Sequence, residues 1–302
     1  MTKPQELRSR FGGVVAFPVT PFKKDLALDL PGLRKNLEHV AAFPFCAAVA
    51  AGGTGELYSL DGDEHRRVVE ATVAAWKGKA PVIAGVGGSL PIAVALAKQA
   101  AEAGADGILA LPPYFPNAPD DGMYEYYRAI GAATSLGLLI YSRDWFTPGA
   151  ALVEKLAAGI PNLIAWKDGS GDLRKLQMIR ARVGDRLYWI GGAGDDMVPG
   201  YYGMGIRTYT SSIATVAPKL SLLLDKHAAA GESKELLSLM NEYVIPLYDL
   251  RSRKRGYEVT AMKVAMDAVG LVGGAVRPPL PDMKPSEVEE IGAMMARWKP
   301  FV

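Results

Sequence analysis

A lysine and a tyrosine at the ends of two apolar segments are the residues of this sequence best suited to chemistry. Lys167 follows the apolar run LIAW in the segment LIAWKDGSGD, and Tyr141 follows the run LLI in LLIYSRD. A lysine among apolar residues loses hydration, so its pKa falls and more of its amine is neutral. A neutral amine can attack a carbonyl carbon and form a Schiff base, while a nearby phenol transfers the protons. The two residues therefore indicate imine chemistry.

An ion pair is the structural alternative for Lys167. Asp168 is its neighbour in the sequence, and Asp144 follows Tyr141 closely. Either carboxylate could neutralise the ammonium group and leave it with no catalytic role. Tyr141 and a glycine–threonine loop after a second apolar segment favour the catalytic interpretation.

Eight short apolar segments alternate with longer helical patterns through most of the chain, and they must position these residues. Their starts lie about 20 to 35 residues apart, which is the spacing of repeated strand–helix units. The segments begin at Gly13, Cys46, Pro81, Gly107, Gly137, Leu163, Leu187 and Gly205. Eight units predict an α/β fold of the (β/α)8 TIM barrel type. The glycine patterns GGTGEL and GGAGDDM are incomplete, which disfavours a dinucleotide-binding open sheet.

The last part of the chain has a different pattern. After about residue 225 the strand signals stop, and SKELLSLMNEYVIPLYDL, GYEVTAMKVAMDAVG and PSEVEEIGAMMARW read as three helices. We therefore predict a catalytic barrel over residues 1–225 and a C-terminal helical extension over residues 226–302. The basic run RSRKR, Arg251 to Arg255, lies between two of these helices, and we interpret it as a solvated or subunit-facing helix end.

The composition excludes several classes of protein. Lysine and arginine total 34 against 32 acidic residues, so the charge gives no basis for a nucleic-acid or membrane partner. The single cysteine, Cys46, excludes an intrachain disulfide. His39, His65 and His227 lie in polar helical patterns without metal-ligand spacing, so we expect surface positions and no metal. The N-terminal MTKPQELRSR is polar and unlike a signal peptide, which indicates a cytoplasmic protein.

Catalytic groups of a (β/α)8 barrel lie where strands end and loops begin. Lys167 ends predicted strand six, and Tyr141 ends strand five. The loop GGTGE, Gly52 to Glu56, follows strand two, and its glycines allow backbone N–H groups to point at an anion. Thr210 to Ser212 closes strand eight, where Ser211 is a candidate substrate-binding residue.

Three motifs, in this order, resemble those of the dihydrodipicolinate synthase/N-acetylneuraminate lyase superfamily: AAGGTGE, LLIYSRD and IAWKDGSGD. Members of that superfamily are Schiff-base (β/α)8 barrels that act on 2-oxo acids. The resemblance covers nearly the whole chain and implies that Lys167 forms the imine while Tyr141 transfers protons. It also implies that the N–H groups of Gly53 and Thr54, with the Thr54 hydroxyl, hold the carboxylate beside the ketone.

Further segments favour the decarboxylating dehydratases of this superfamily over its synthases. These segments are FPVTPF, ADGILALPPYF, TYTSS, RGYEVTAMK and GGAVRPPLPDM. Gly53 stands where the synthases have a threonine, and Phe115 stands where they have a second tyrosine. Both changes remove parts of the synthase proton relay. Ser142 and Trp145 stand where asparagines are expected in the dehydratases.

The resemblance implies a small-molecule reaction, in which a six-carbon 2-oxo sugar diacid gives 2,5-dioxopentanoate, carbon dioxide and water. No metal or organic cofactor is expected, because the imine serves as the electron sink. The enzymatic alternatives are a 2-keto-3-deoxy sugar acid dehydratase without decarboxylation and a related 2-oxo-acid aldolase. A catalytically silent barrel that binds a keto acid for regulation is the alternative from another class. The resemblance also implies a homo-oligomer, a dimer or tetramer.

Overall fold

Eight parallel strands close into a barrel in the computed structural model, which describes residues 2–302. Met1, the first residue of the polar N-terminal segment, lies outside the described residues. Each strand pairs with the next one in the sequence, and β8 pairs with β1. The strands are β1 (Gly13–Ala16), β2 (Ala47–Ala50), β3 (Val82–Val86), β4 (Gly107–Ala110), β5 (Gly137–Ser142), β6 (Leu163–Asp168), β7 (Tyr188–Gly191) and β8 (Thr208–Ser211). Each predicted apolar segment contains one of them, and the predicted (β/α)8 fold is confirmed.

Helices surround the barrel and continue beyond its last strand. Those up to β8 are α1 (Pro4–Ser9), α2 (Leu30–Val40), α3 (Gly62–Trp76), α4 (Leu90–Glu102), α5 (Asp120–Ala132), α6 (Ala150–Gly159), α7 (Leu173–Val183) and α8 (Val198–Gly203). Those after β8 are α9 (Pro218–Ala230), α10 (Ser233–Leu239), α11 (Ile245–Ser252), α12 (Tyr257–Ala268) and α13 (Pro285–Trp298). A π-helical turn over Met240–Val244 joins α10 to α11. The predicted domain boundary at residue 225 falls within α9.

Both faces of each strand are buried, which explains the continuous apolar runs. Side chains alternate between the two faces of a strand, so a barrel strand covered by helices needs apolar residues at successive positions. Val15, Val49, Ile83, Leu109 and Leu139 pack together as one core cluster inside the barrel. The alternate residues pack against the helices in a second, larger core cluster.

Helix α1 closes the N-terminal end of the barrel. Leu7 is buried in the interior cluster. Gly107 and Gly137 have no side chain there, and a Cβ at Gly107 would clash with Leu7. Because α1 closes this end, a ligand reaches the barrel interior from the opposite end, where the strands have their carboxyl ends.

His65 is buried, and the surface position predicted for it is wrong. Its Nε2 lies 2.8 Å from the Gly85 carbonyl oxygen, and its Nδ1 lies 3.1 Å from Gln99 Nε2. Burial lowers its pKa, so the neutral imidazole links α3 to β3 and α4. Within residues 2–302, no cluster of three histidine, cysteine or acidic side chains could hold a metal ion.

None of the helices formed by residues 2–302 combines the length and the apolar character that crossing a membrane requires.

Candidate active site

A cavity of about 1000 Å³ opens at the carboxyl ends of the strands. Lys167, Tyr141, Gly53 and Thr54 all line it, so the fold brings these four predicted site residues together. Residues after β7 and β8 and from the C-terminal extension complete the wall. The location is the one in which (β/α)8 barrels carry their catalytic groups.

Lys167 is almost fully buried against Tyr141. The parallel register of β5 and β6 pairs the two residues, and both line the cavity. Lys167 is only 3% exposed, and its Nζ donates to the Gly192 carbonyl oxygen at 3.0 Å. The Tyr141 hydroxyl donates to the same oxygen at 3.3 Å. The amine and the phenol therefore meet at one point of the cavity wall.

Neither Asp168 nor Asp144 pairs with Lys167, so the structural alternative is wrong. Asp168 lies on the opposite face of β6, where its carboxylate accepts from Ser170 Oγ at 2.6 Å and Tyr201 Oη at 2.8 Å. Asp144 pairs with the neighbouring Arg143. Among the residues that the structure describes, no carboxylate forms an ion pair with the Lys167 amine.

Burial shifts the pKa values of Lys167 and Tyr141 in the direction that favours their neutral forms. It lowers the pKa of Lys167 well below that of an ordinary lysine, and the charge of Arg143 lowers this pKa further, against the attraction of Asp168. Burial also raises the pKa of Tyr141, which Arg143 opposes. A more neutral amine can act as a nucleophile, and a protonated phenol can act as an acid.

The GGTGE loop presents unpaired donors to the cavity. Gly53 leaves room for Arg143, because a Cβ at this position would lie 2.8 Å from the nearest guanidinium nitrogen. The N–H groups of Gly53 and Thr54 and the Thr54 hydroxyl form no hydrogen bond with other described residues. Thr54 therefore caps no helix, and these groups can bind an anion. Left-handed φ angles of 49° at Ala51 and 55° at Glu56 give the loop its sharp turns.

Ser211 does not line the cavity, whereas its neighbours Thr210 and Ser212 do. The Ser211 hydroxyl donates to the Asp195 carboxylate, lies 2.7 Å from Ser221 Oγ on α9 and accepts from the N–H of Ala214. Alternate residues of a strand face opposite ways, so Ser211 points outward with Tyr209 while Thr210 points inward. The two-residue periodicity of β8 could have distinguished the inward-facing Thr210 from the outward-facing Ser211 in the sequence.

Three arginines of the cavity wall were absent from the predicted site. Arg143 lies two residues after Tyr141, so strand periodicity could have identified it. Arg251 and Arg255 belong to the RSRKR run, which was interpreted as a solvated or subunit-facing helix end. Their place in the wall depends on how the extension packs over the barrel, for which the sequence carries no local signal.

The fold and the site define a (β/α)8 barrel with a buried lysine in its cavity, and the chain belongs to the dihydrodipicolinate synthetase family. The model of that family matches residues 10–297. A crystal structure of dihydrodipicolinate synthase from Oceanobacillus iheyensis has the same fold, with a TM-score of 0.91 and 27% identity over 98% of this chain and 99% of that one.

Within the family, the chain is similar to proteins that carry the name "probable 5-dehydro-4-deoxyglucarate dehydratase". It is 38% identical over 289 residues to one from Rhizobium meliloti, which covers 95% of this chain and 96% of that one. It is 39% identical over 287 residues to one from Xanthomonas campestris, which covers 94% of each. The superfamily resemblance and the similarity to its dehydratases are confirmed.

Proposed function

We propose that the protein is a Schiff-base-forming lyase that dehydrates and decarboxylates 5-dehydro-4-deoxy-D-glucarate to 2,5-dioxopentanoate, carbon dioxide and water. The observation that carries this proposal is the buried Lys167 amine beside the Tyr141 phenol in a cavity at the carboxyl ends of the strands. The similarity to proteins named as dehydratases of this substrate supports the choice of reaction.

In the first step Lys167 attacks the C5 ketone. The neutral amine forms a carbinolamine, which loses water to give the iminium ion. The Tyr141 phenol supplies the proton that the departing oxygen needs, and it regains one later in the cycle. Both groups must leave the Gly192 carbonyl oxygen when the substrate arrives.

The iminium ion then drives elimination and loss of carbon dioxide. It acidifies the C4 protons, and loss of one C4 proton with the C3 hydroxyl as water leaves a double bond conjugated to the iminium. The electron pair of the C1–C2 bond moves into this conjugated system as C1 departs as carbon dioxide. Protonation and hydrolysis then release 2,5-dioxopentanoate and free Lys167.

The carboxylate beside the ketone binds to the GGTGE loop. The N–H groups of Gly53 and Thr54 and the Thr54 hydroxyl are donors without partners among the described residues. A fixed anion site selects 2-oxo acids from other carbonyl compounds and aims the ketone at Lys167. Thr210 and Ser212 replace Ser211 as candidate partners for the substrate hydroxyls, since they line the cavity.

Borohydride trapping tests the nucleophile. Reduction in the presence of pyruvate is expected to leave a stable adduct that peptide mass mapping assigns to Lys167. Lys155→Met, which removes a surface lysine paired with Asp121, is the matched control and is expected to keep the adduct. An adduct on another lysine, or none with active enzyme, would refute the mechanism.

Product analysis separates the alternatives. Incubation with 5-dehydro-4-deoxy-D-glucarate is expected to release carbon dioxide and form 2,5-dioxopentanoate together. Dehydration without carbon dioxide would favour the non-decarboxylating dehydratase, and carbon–carbon cleavage to two carbonyl fragments would favour the aldolase. An adduct at Lys167 with no turnover would indicate a binding barrel.

The proposal includes a cytoplasmic homo-oligomer, a dimer or tetramer, that needs no cofactor. Two aromatic residues in the loop after β4 support the oligomer, since Tyr114 is 88% exposed and Phe115 is 67% exposed. Tyr114 also contacts the exposed ring of Trp145, and contiguous exposed apolar surface marks protein contact sites. Light scattering on the eluting protein would measure the mass, and a monomer would contradict this part of the proposal.

A further inference from the structure

We infer that Arg251 forms a subsite for the distal carboxylate of the substrate, so that the cavity selects 2-oxo diacids over 2-oxo monoacids. The inference deepens the proposed function and rests on it. Arg251 lies near the end of α11 in the C-terminal extension, and its half-buried side chain lines the same cavity as Lys167.

The guanidinium group of Arg251 is held in a fixed position. It donates to Ser212 Oγ at 3.2 Å and to the Glu258 carbonyl oxygen at 3.0 Å. Its central carbon lies 4.5 Å from the centre of the Tyr248 ring. A side chain fixed in advance loses less conformational freedom when it binds a ligand.

Arg251 also lacks an anionic partner, unlike Arg253 and Arg143. Arg253 pairs with Glu290 at 2.6 Å, and Arg143 pairs with Asp144. Among residues 2–302, no carboxylate forms an ion pair with Arg251. Asp195 and Asp196 lie within electrostatic range of it, but neither forms an ion pair with it.

The Arg251 guanidinium group has N–H donors that the contacts above leave free. A guanidinium group has five N–H donors in a fork that matches a carboxylate, and the contacts above occupy two of them. Arg255 lies four residues further along, lines the cavity and forms no hydrogen bond or ion pair with the described residues. It adds positive charge to the same side of the mouth.

The barrel topology gives the subsite its direction. The GGTGE loop follows β2, and Lys167 ends β6, so the two lie on opposite sides of the closed eight-stranded barrel. Ser212, which contacts Arg251, follows β8, midway between them on one side. A 2-oxo acid bound at the loop and at Lys167 can direct its remaining carbons toward this side.

Arg251 is expected to act in capture of the substrate rather than in the loss of carbon dioxide. An ion pair stabilises the bound carboxylate, whereas that charge disappears from the carboxylate as carbon dioxide departs. An interaction stronger in the ground state than in the transition state does not raise kcat. Removal of Arg251 is therefore expected to raise KM for the sugar diacid without lowering kcat.

The test compares two six-carbon 2-oxo acids in borohydride trapping at Lys167. The probes are 2-oxoadipate, which has a distal carboxylate, and 2-oxohexanoate, which has a methyl group in its place. The parent enzyme is expected to reach half-saturation with 2-oxoadipate at about a tenfold lower concentration, the size of one charged hydrogen bond. Arg251→Met is expected to remove this preference and leave trapping of 2-oxohexanoate unchanged.

Two further variants control for charge and folding. Lys254→Met removes a positive charge from the same exposed turn at a position outside the cavity wall, and it is expected to keep the preference. Arg251→Lys keeps the positive charge but lacks the forked guanidinium donors, and it is expected to retain part of the preference for 2-oxoadipate. If Arg251→Met does not fold, the preference for 2-oxoadipate is compared between the parent and Arg251→Lys instead.

Three results would overturn the inference. They are equal half-saturation of the parent by both acids, equal weakening of both acids in Arg251→Met, and loss of the preference in Lys254→Met. Absence of any adduct at Lys167 with either acid would instead refute the proposed function, so the two failures are distinguishable.

Discussion

The Nζ atom of Lys167 lies 3.2 Å from the centre of the Tyr141 ring. The parallel register between β5 and β6 fixes this contact, because it pairs the two residues directly. The ring excludes water from one side of the amine, and desolvation lowers the amine pKa. We therefore propose two separable roles for Tyr141, in which its ring shields the amine and its hydroxyl transfers protons.

Tyr141→Phe is expected to fold normally and to lose most of its turnover. The variant keeps the ring and removes the hydroxyl, and loss of a general acid or base typically costs about 10²–10⁴-fold in rate. Turnover and thermal unfolding would be measured together. Tyr127→Phe is the control, because Tyr127 is a buried tyrosine outside the cavity wall whose hydroxyl has no hydrogen-bond partner among the described residues. Turnover of Tyr141→Phe within a few-fold of the parent would make Tyr141 a packing residue.

Thr54→Val is expected to weaken capture of 2-oxo acids. The substitution keeps the shape and removes one donor to the carboxylate, which is worth about 1.5–3 kcal/mol for a charged acceptor. The concentration of pyruvate that half-saturates trapping at Lys167 would rise about tenfold or more. Thr54→Ser, which retains the hydroxyl, is expected to stay near the parent. Equal effects of the two substitutions would exclude the hydroxyl as a ligand.

Glu56 and Lys263 form a buried ion pair that joins the GGTGE loop to α12, with exposures of 0% and 1% for the two side chains. Burial raises the pKa of Glu56 and lowers that of Lys263, while the attraction between them opposes both changes. Lys263→Met is expected to reduce the free energy of unfolding by about 3–5 kcal/mol, because it leaves a carboxylate without its partner.

Addition of Glu56→Gln to Lys263→Met is expected to recover part of this loss, since no uncompensated charge then remains. Denaturant unfolding of the two single variants and the double variant would measure the coupling. Strictly additive losses would show that the two side chains do not stabilise one another.

Asp195 is expected to make stability depend on pH. Burial raises its pKa from 3.8 to about 6, so the folded protein holds this proton more tightly than the unfolded chain does. The protonated carboxyl therefore contributes fully to the free energy of unfolding below about pH 4. This contribution, on the order of 3 kcal/mol, is lost as the pH rises through about 6.

Asp195→Asn cannot ionise at this position and is expected to lack this dependence. Unfolding free energies of parent and variant would be compared between pH 4 and 7, and their difference should move in favour of the variant as the pH rises. Parallel pH profiles would show that Asp195 does not titrate in this range.

The sequence by itself determined the barrel and the two residues at the centre of its cavity, because both depend on local patterns. Buried parallel strands need continuous apolar runs, and all eight segments were therefore recognisable. A lysine and a tyrosine that interrupt such runs at their carboxyl ends, Lys167 and Tyr141, were recognisable for the same reason. The GGTGE loop was recognisable from glycines that directly follow a strand.

Only the tertiary structure decided which other groups share the cavity. Thr210 and Ser212 line the cavity and Ser211 does not, because the pleat of β8 turns the Ser211 side chain toward α9. Arg251 reaches the cavity only because the extension packs across the barrel mouth, where Arg277 meets Glu64 at 2.5 Å and Lys263 meets Glu56. Those contacts join residues far apart in the chain, so no local periodicity or composition could place them.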